Sequence, residues 1–354
     1  MPDFRVGILG RGGHGTRQIP ATGYNYPEQR GWGESDIQHA WTDFAGDREG
    51  VVLVVWDATR VHWLSRPRPE IGQLYNWLSQ RPFKLWLYAP IDATGPGDKL
   101  SSIPTDALLG FDRILAYTEW GAGVIERSVG RKVDWIPHGI NLDVFKPRDR
   151  KAARMAMGFA DNDTVIGMVG INQPRKDWAC ACSTIQQLRG CIRNLKFWVH
   201  TDVPVRSHAW DFQALLSDFG LMDITKFTLS GSMDDTAMAY GYSACDLTIL
   251  PSSEGFGYPL VESMACGTPV LHSSYGGGAE LVPKEWQVQP AQWHIEGLHN
   301  SFRPIFEPTM WTQAVVSLLA DKPNAEYCQR QVAHLNWPHL SHLWKRWLRE
   351  GING

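Results

Sequence analysis

Glu254 and Glu262 stand eight positions apart, with Gly255, Gly257 and Pro259 between them. The apolar run Leu247–Leu250 ahead of them has the length of a buried parallel strand. After them Leu260, Val261, Met264 and Ala265 fall on one helical face, and Gly267 stops the helix. Pro259 suits the first helical turn, where its missing N–H would have had no partner. The stretch therefore predicts strand, glycine turn and helix, with N–H groups near Leu260 and Val261 aimed outward. Such an end attracts anions, phosphates above all. Glu254 falls in the loop at the strand's carboxyl end, and Glu262 one turn into the helix, in reach of a ribose hydroxyl. A pair of cations, Arg175 and Lys176, precedes a second expected helix over 177–189. Cations at a helix start oppose the dipole, so this position demands an anion nearby.

The elements that hold these groups alternate along the chain. Phe4–Leu9 reads as a first strand, followed by the glycine loop Gly10–Gly15 and by residues 16–36, which read as one long loop. Val51–Asp57 reads as a second buried strand, and a helix over 70–80 precedes a strand at 84–88. Arg113–Tyr117 is followed by Thr118, an N-cap for a helix over 119–128. A linker runs near 146–151. Val165–Gly170 and Leu195–His200 open a second series that alternates to about residue 335. Alternating strand and helix means parallel sheets covered on both faces, an α/β fold. Ligands in such sheets bind at the carboxyl ends of strands, at a switch point. The expected division is residues 1–147, residues 148–335, and a last segment, 336–354, with Leu340, Leu343, Trp344, Trp347 and Leu348 at helical spacing.

Gly10, Gly12 and Gly15 after a strand match the spacing of a dinucleotide fingerprint. That fingerprint needs a helix at once and an acidic residue about 20 positions on. Pro20 interrupts the first requirement, and Asp57 comes far too late for the second. A nicotinamide-dependent oxidoreductase is therefore a rival reading, as is a catalytically inactive module that binds sugar or nucleic acid.

The Glu254–Glu262 stretch resembles the signature of the family-4 retaining glycosyltransferases, which have the GT-B fold. Phe227–Asp235, with Gly231, Ser232 and Met233, resembles that family's strand and loop beside the nucleotide base. Gly170–Asp177 is similar to its phosphate-binding loop, Ile136–Phe145 to its passage into the second domain, and Gly276–Val282 to the loop that follows the signature. The resemblance spans roughly residues 110–282 in order. It implies two Rossmann-like domains facing across a cleft, the last helix crossing back to the first. It also implies a co-substrate that is a UDP- or GDP-linked sugar, with no other cofactor and no metal. Lys176 and Arg175 would then meet the diphosphate and Glu254 the sugar. The donor would lie against Gly12, Gly13, Gly231, Ser232, Met233, Gly255, Phe256, Gly257, Tyr258, Leu260, Val261 and Glu262.

The chain departs from the family in two places. Many relatives carry an Arg five residues before the Lys, where this chain has Ile171, and Arg175 now adjoins Lys176. Relatives often place a His after a first-domain strand, where Leu85–Asp92 ends in Asp92, the substitute candidate. With 354 residues and a net charge of −3, the chain has length for two cores and no global field drawing it to nucleic acid. No apolar run reaches bilayer length and the start lacks a signal-peptide pattern, so a cytoplasmic protein with buried free thiols is expected. The acceptor is expected on the first domain, where Arg11, His14, Arg17 and Trp32 mix charge with aromatic faces. Trp41, Trp56 and Trp63 extend that cluster. A glycan, a small metabolite or a hydroxymethylated DNA base flipped into the cleft would fit.

Overall fold

The computed structural model describes residues 8–11, 25–28, 36–46, 48–297 and 299–353. β1 (Ile8–Arg11) pairs in parallel with β2 (Asn25–Glu28). Residues 16–36 are thus not loop throughout. Pro27 hid the strand, because proline is tolerated only on edges such as this one.

A parallel sheet of four follows, in the order β3 (Val51–Val55), β4 (Lys84–Ala89), β5 (Arg113–Ala116) and β6 (Asp134–Trp135). β3 is an edge, so Val55 and Trp56 are exposed rather than buried as expected. β4 is central: Leu85 to Ala89 are all buried. Its faces are covered differently. Leu85 and Leu87 pack with Trp41, Leu64, Leu78 and Leu108. Trp86 and Tyr88 pack with Leu340 and Trp347 of the last helix, Trp337–Asn353. The rings of Trp86 and Trp347 meet edge to face at 5.0 Å, and Trp347 Nε1 donates to Asp134 at 3.1 Å.

The second parallel sheet has six strands: β7 (Thr164–Val169), β8 (Leu195–Thr201), β9 (Thr225–Leu229), β10 (Leu247–Leu250), β11 (Val270–Ser273) and β12 (Gln287–Val288). Their order is β12-β11-β10-β7-β8-β9. The direction of winding reverses between β7 and β10, which creates a crevice at their carboxyl ends. Asp246 fixes this junction. It accepts from Val165 N–H at 2.9 Å and from the buried Arg154 at 2.8 Å, just before β10 begins. Burial raises the Asp246 carboxyl less than Lys322, Val165 and Arg150 lower it, so it stays ionised.

The expected alternation to residue 335 is broken by an antiparallel hairpin, β13 (Gln292–Glu296) and β14 (Ser301–Ile305). It reaches the loop after β4, where Phe302 N–H donates to Thr94 O at 2.6 Å. Side-chain caps start several helices, the one at Thr118 as expected. Thr118 accepts from Gly121 N–H at 3.1 Å and Asp234 from Ala237 N–H at 2.8 Å. Of the tryptophans considered for stacking, Trp41 is core, 4.8 Å from Phe83; Trp63 is half-buried and Trp56 exposed. Trp32 lies outside the described residues. Five of the six free cysteines are buried, but Cys191 is exposed because it follows the end of its helix.

Candidate active site

β10 runs into the buried segment Pro251–Phe256, which turns Glu254 inward to 5% exposure. Its Oε1 accepts from Ser252 Oγ at 2.6 Å and from the Lys176 ammonium, and its Oε2 from Arg175 Nη1 at 3.2 Å. The cations come from a short turn, Pro174–Lys176, at the end of β7. Asp177, in a left-handed conformation at φ 43°, separates that turn from the helix Trp178–Arg189 and caps it. Arg175 and Lys176 therefore project into the crevice rather than along the helix. The anion their position demands is supplied by Glu254. Burial alone would raise the Glu254 pKa, but Lys176 and Arg175 outweigh it and hold the carboxyl far below its usual range. Burial pulls Lys176 down to about 8, with Glu254 opposing and Arg175 adding to the fall.

Asp92 follows β4 and joins the same cluster. One oxygen lies 3.5 Å from Arg175 Nε and the other 3.1 Å from Arg303 Nη1. Arg303, on β14, belongs to no motif in the sequence. Its Nη1 also donates to Ser253 Oγ at 3.1 Å, and its Nε meets Glu296 at 2.7 Å. Ile171, at the family's usual arginine position, is exposed.

The helix after the turn is Tyr258–Ala265. Gly257 enters it at φ 89°, which a side chain rarely adopts. The Leu260 N–H, expected free, donates to Gly257 O at 3.0 Å, because this entry tightens the first turn. Leu260, Val261 and Phe256 bury their side chains, so an anion would meet only backbone there. Tyr258 is exposed and stacks on His138 at 5.2 Å. Tyr88 O–H donates to Ile136 O at 2.7 Å, so His138 Nδ1–H donates to Tyr88. Burial lowers the His138 pKa to about 4 and keeps it neutral.

Glu262 accepts from Tyr242 O–H at 2.7 Å. Burial lifts its pKa to about 7, against the Tyr242 bond and with help from Asp235. The folded state thus holds this proton more tightly than the unfolded chain. Stability contributed by the protonated form is lost as pH rises through this window, from the ordinary 4.5 towards 7. If Glu262 holds a ribose diol, it does so best as a carboxylate. The apparent Kd for a nucleoside diphosphate should weaken about tenfold between pH 8 and pH 6, and Glu262→Gln should flatten that dependence. An unchanged slope in the variant, measured by calorimetry, would remove Glu262 from the nucleotide site.

Ser230, Gly231 and Ser232 form an exposed turn after β9, with Met233 half-buried beside it. Glycines let the two sheets' loops meet. A Cβ on Gly255 would stand 3.2 Å from Ile91 N, and one on Gly277 would stand 2.5 Å from Thr118 Oγ1. Glu280 spans the same gap, accepting from Glu119 N–H at 3.0 Å and from Trp120 N–H. Arg11 ends β1. Gly12, Gly13, His14 and Arg17 lie outside the described residues. Among the described residues no group of three or more His, Cys, Asp or Glu could hold a metal ion. No described helix is long and apolar enough to cross a membrane.

Residues 163–321 match the family model described as "Glycosyl transferases group 1". A D-inositol 3-phosphate glycosyltransferase 2 from Catenulispora acidiphila is 28% identical over 297 residues, covering 79% of this chain and 64% of that protein. A D-inositol 3-phosphate glycosyltransferase from Mycobacterium tuberculosis is 29% identical over 227 residues, covering 63% and 46%. The chain thus spans between about half and two thirds of these relatives' length. Among solved structures, a sucrose-phosphate synthase from Thermosynechococcus elongatus superposes with TM-score 0.70 at 18% identity, covering 90% of this chain and 77% of that one. The Anabaena protein HepE, solved with UDP-glucose, gives 0.68 at 16% identity, covering 93% and 86%. With two parallel α/β sheets meeting at this cluster, the chain has the GT-B fold of these solved structures, and its second sheet lies within the stretch that matches the group 1 glycosyl transferases.

Proposed function

We propose that this chain transfers a sugar from a nucleoside diphosphate to an acceptor hydroxyl with retention of anomeric configuration. One observation carries the reading: Lys176 and Arg175 converge on buried Glu254 at the switch point of the second sheet. A neighbour solved with UDP-glucose supports a nucleotide-sugar donor; the reading takes that donor as UDP- or GDP-linked and needs no further cofactor. As the sugar–phosphate bond breaks, the departing diphosphate gains charge. Lys176, Arg175 and the start of the helix Tyr258–Ala265 stabilise it as preorganised donors. Glu262 holds the ribose, and the turn Gly231–Met233 the base. Glu254 orients sugar hydroxyls and offsets positive charge at the oxocarbenium-like ring. The acceptor hydroxyl attacks from the face the diphosphate leaves, and a phosphate oxygen takes its proton.

The two sheets belong to two domains that divide near residue 147, the chain returning to the first from about residue 336. Relatives named for inositol 3-phosphate support a small hydroxylated metabolite or a glycan as acceptor. The free thiols support work in a reducing compartment such as the cytoplasm.

The test is incubation with UDP- and GDP-sugars and a panel of acceptors: inositol phosphates, oligosaccharides and hydroxymethylated DNA. Free nucleoside diphosphate and an acceptor heavier by one sugar are expected, with the donor's anomeric configuration by NMR. A modified DNA nucleoside would move the acceptor class to DNA. No diphosphate release from any donor would refute the reading.

A further inference from the structure

We propose that Arg303 selects the transferred sugar: with Asp92 it forms a pair that reads the hydroxyls on the edge of a hexose remote from the anomeric carbon, O4 and O6. The inference rests on the glycosyl-transfer reading of the same site. β14 brings Arg303 to 3.1 Å from both Asp92 Oδ1 and Ser253 Oγ, next in sequence to Glu254. The hairpin that carries it is fixed to the first sheet's loop. Phe302 N–H donates to Thr94 O, and the Tyr275 hydroxyl accepts from Thr94 N–H at 2.7 Å while donating to Phe302 O at 3.3 Å. Arg303 is therefore held by structure, not by its own ion pairs alone.

The two ends of the cluster differ. Lys176 and Glu254 close on each other at 6% side-chain exposure, whereas Asp92 remains 32% exposed between two guanidinium groups. With the diphosphate held by Lys176 and the helix start, the ring lies over Glu254. Its far edge then meets Ser253, Asp92 and Arg303. A carboxylate accepts from a hydroxyl and a guanidinium donates to one, so the pair contacts each hydroxyl from both sides. Asp92 and Glu296 together offset the charge of Arg303, so the pair suits neutral hydroxyls rather than the carboxylate of a uronic acid. A site that pairs its polar groups with a substrate hydroxyl rejects the analogue lacking it, because those groups are left without partners.

The experiment compares donors differing at one of these hydroxyls: UDP-glucose with UDP-galactose, UDP-glucose with UDP-xylose, and GDP-mannose with its 6-deoxy analogue. The readout is the ratio of kcat/KM within each pair, from nucleoside diphosphate release. The wild-type protein should prefer one member of at least one pair by tenfold or more. Arg303→Ala should bring that ratio to within about threefold. Arg303→Lys should fall between, because an ammonium cannot reproduce the fork to Asp92, Ser253 and Glu296. A misfolded fraction lowers both members equally and cancels in the ratio. A ratio unchanged in Arg303→Ala, or wild-type ratios all within threefold, would overturn the assignment while leaving glycosyl transfer standing. Wild-type protein inert towards every donor would take down both.

Discussion

Lys176→Met should lower sugar transfer by about 10²–10³-fold, the usual loss when one preorganised donor to a developing anion is removed. The structure adds an effect on stability that position alone does not announce. Lys176 is buried against Glu254, so its removal leaves a buried carboxylate with Arg175 and Ser252 as remaining partners. Breaking a buried pair from one side costs about 3–5 kcal/mol, and the surviving Arg175 contact puts the expected loss near the lower figure. The double variant Lys176→Met/Glu254→Gln removes both charges and should recover most of the melting temperature but none of the activity. The sign with pH follows from Glu254. Its folded-state pKa is depressed, so the pair's stabilisation is complete above the ordinary value of 4.5 and fades as pH falls below it. The gap in melting temperature between wild type and Lys176→Met should accordingly be widest near pH 7 and narrow towards pH 3. A gap that widens on acidification would mean that Glu254 does not depend on Lys176.

Glu254→Gln should also lose about 10²–10³ in kcat, for a different reason. The amide keeps the shape and some of the hydrogen bonding, but supplies no negative charge beside a ring that becomes positive in the transition state. Affinity for the product nucleotide should move the other way. Glu254 competes with a diphosphate for Lys176 and Arg175, so neutralising it frees both cations. Calorimetry should show nucleoside diphosphate binding unchanged or tighter, on the order of tenfold. A parallel loss of binding and turnover would place Glu254 among groups that merely hold the fold. A fall in kcat with no fall in affinity cannot arise from unfolding.

What the sequence disclosed depended on how local the information was. Glu254, Glu262 and their helix were legible because strand, turn and helix are written within about 20 consecutive residues. Arg175 and Lys176 were legible for the same reason, as a cation pair in an unfavourable place whose anion proved to be the protein's own Glu254. The Arg303–Asp92 contact was hidden, since it joins positions 211 apart through a hairpin that the alternating pattern did not foretell. The strand Asn25–Glu28 was masked by Pro27. The Leu260 N–H was misjudged because its partner, Gly257 O, depends on one backbone angle at a glycine.

The close approach of the loops has a consequence for how such a site could diversify. A Cβ at Gly276 would stand 2.9 Å from Glu254 O, and one at Gly277 would stand 2.5 Å from Gly255 O. These two positions are closed to a side chain without a backbone shift, and Gly255, with a Cβ 3.2 Å from Ile91 N, is tight. Variation in what the site accepts has no route through these glycines. The route left among these neighbours is the hairpin, where Trp293 and Ile295 are exposed on the strand opposite Arg303. A laboratory lineage selected for a new sugar or acceptor should therefore accumulate changes over 292–305 while its loop glycines stay fixed.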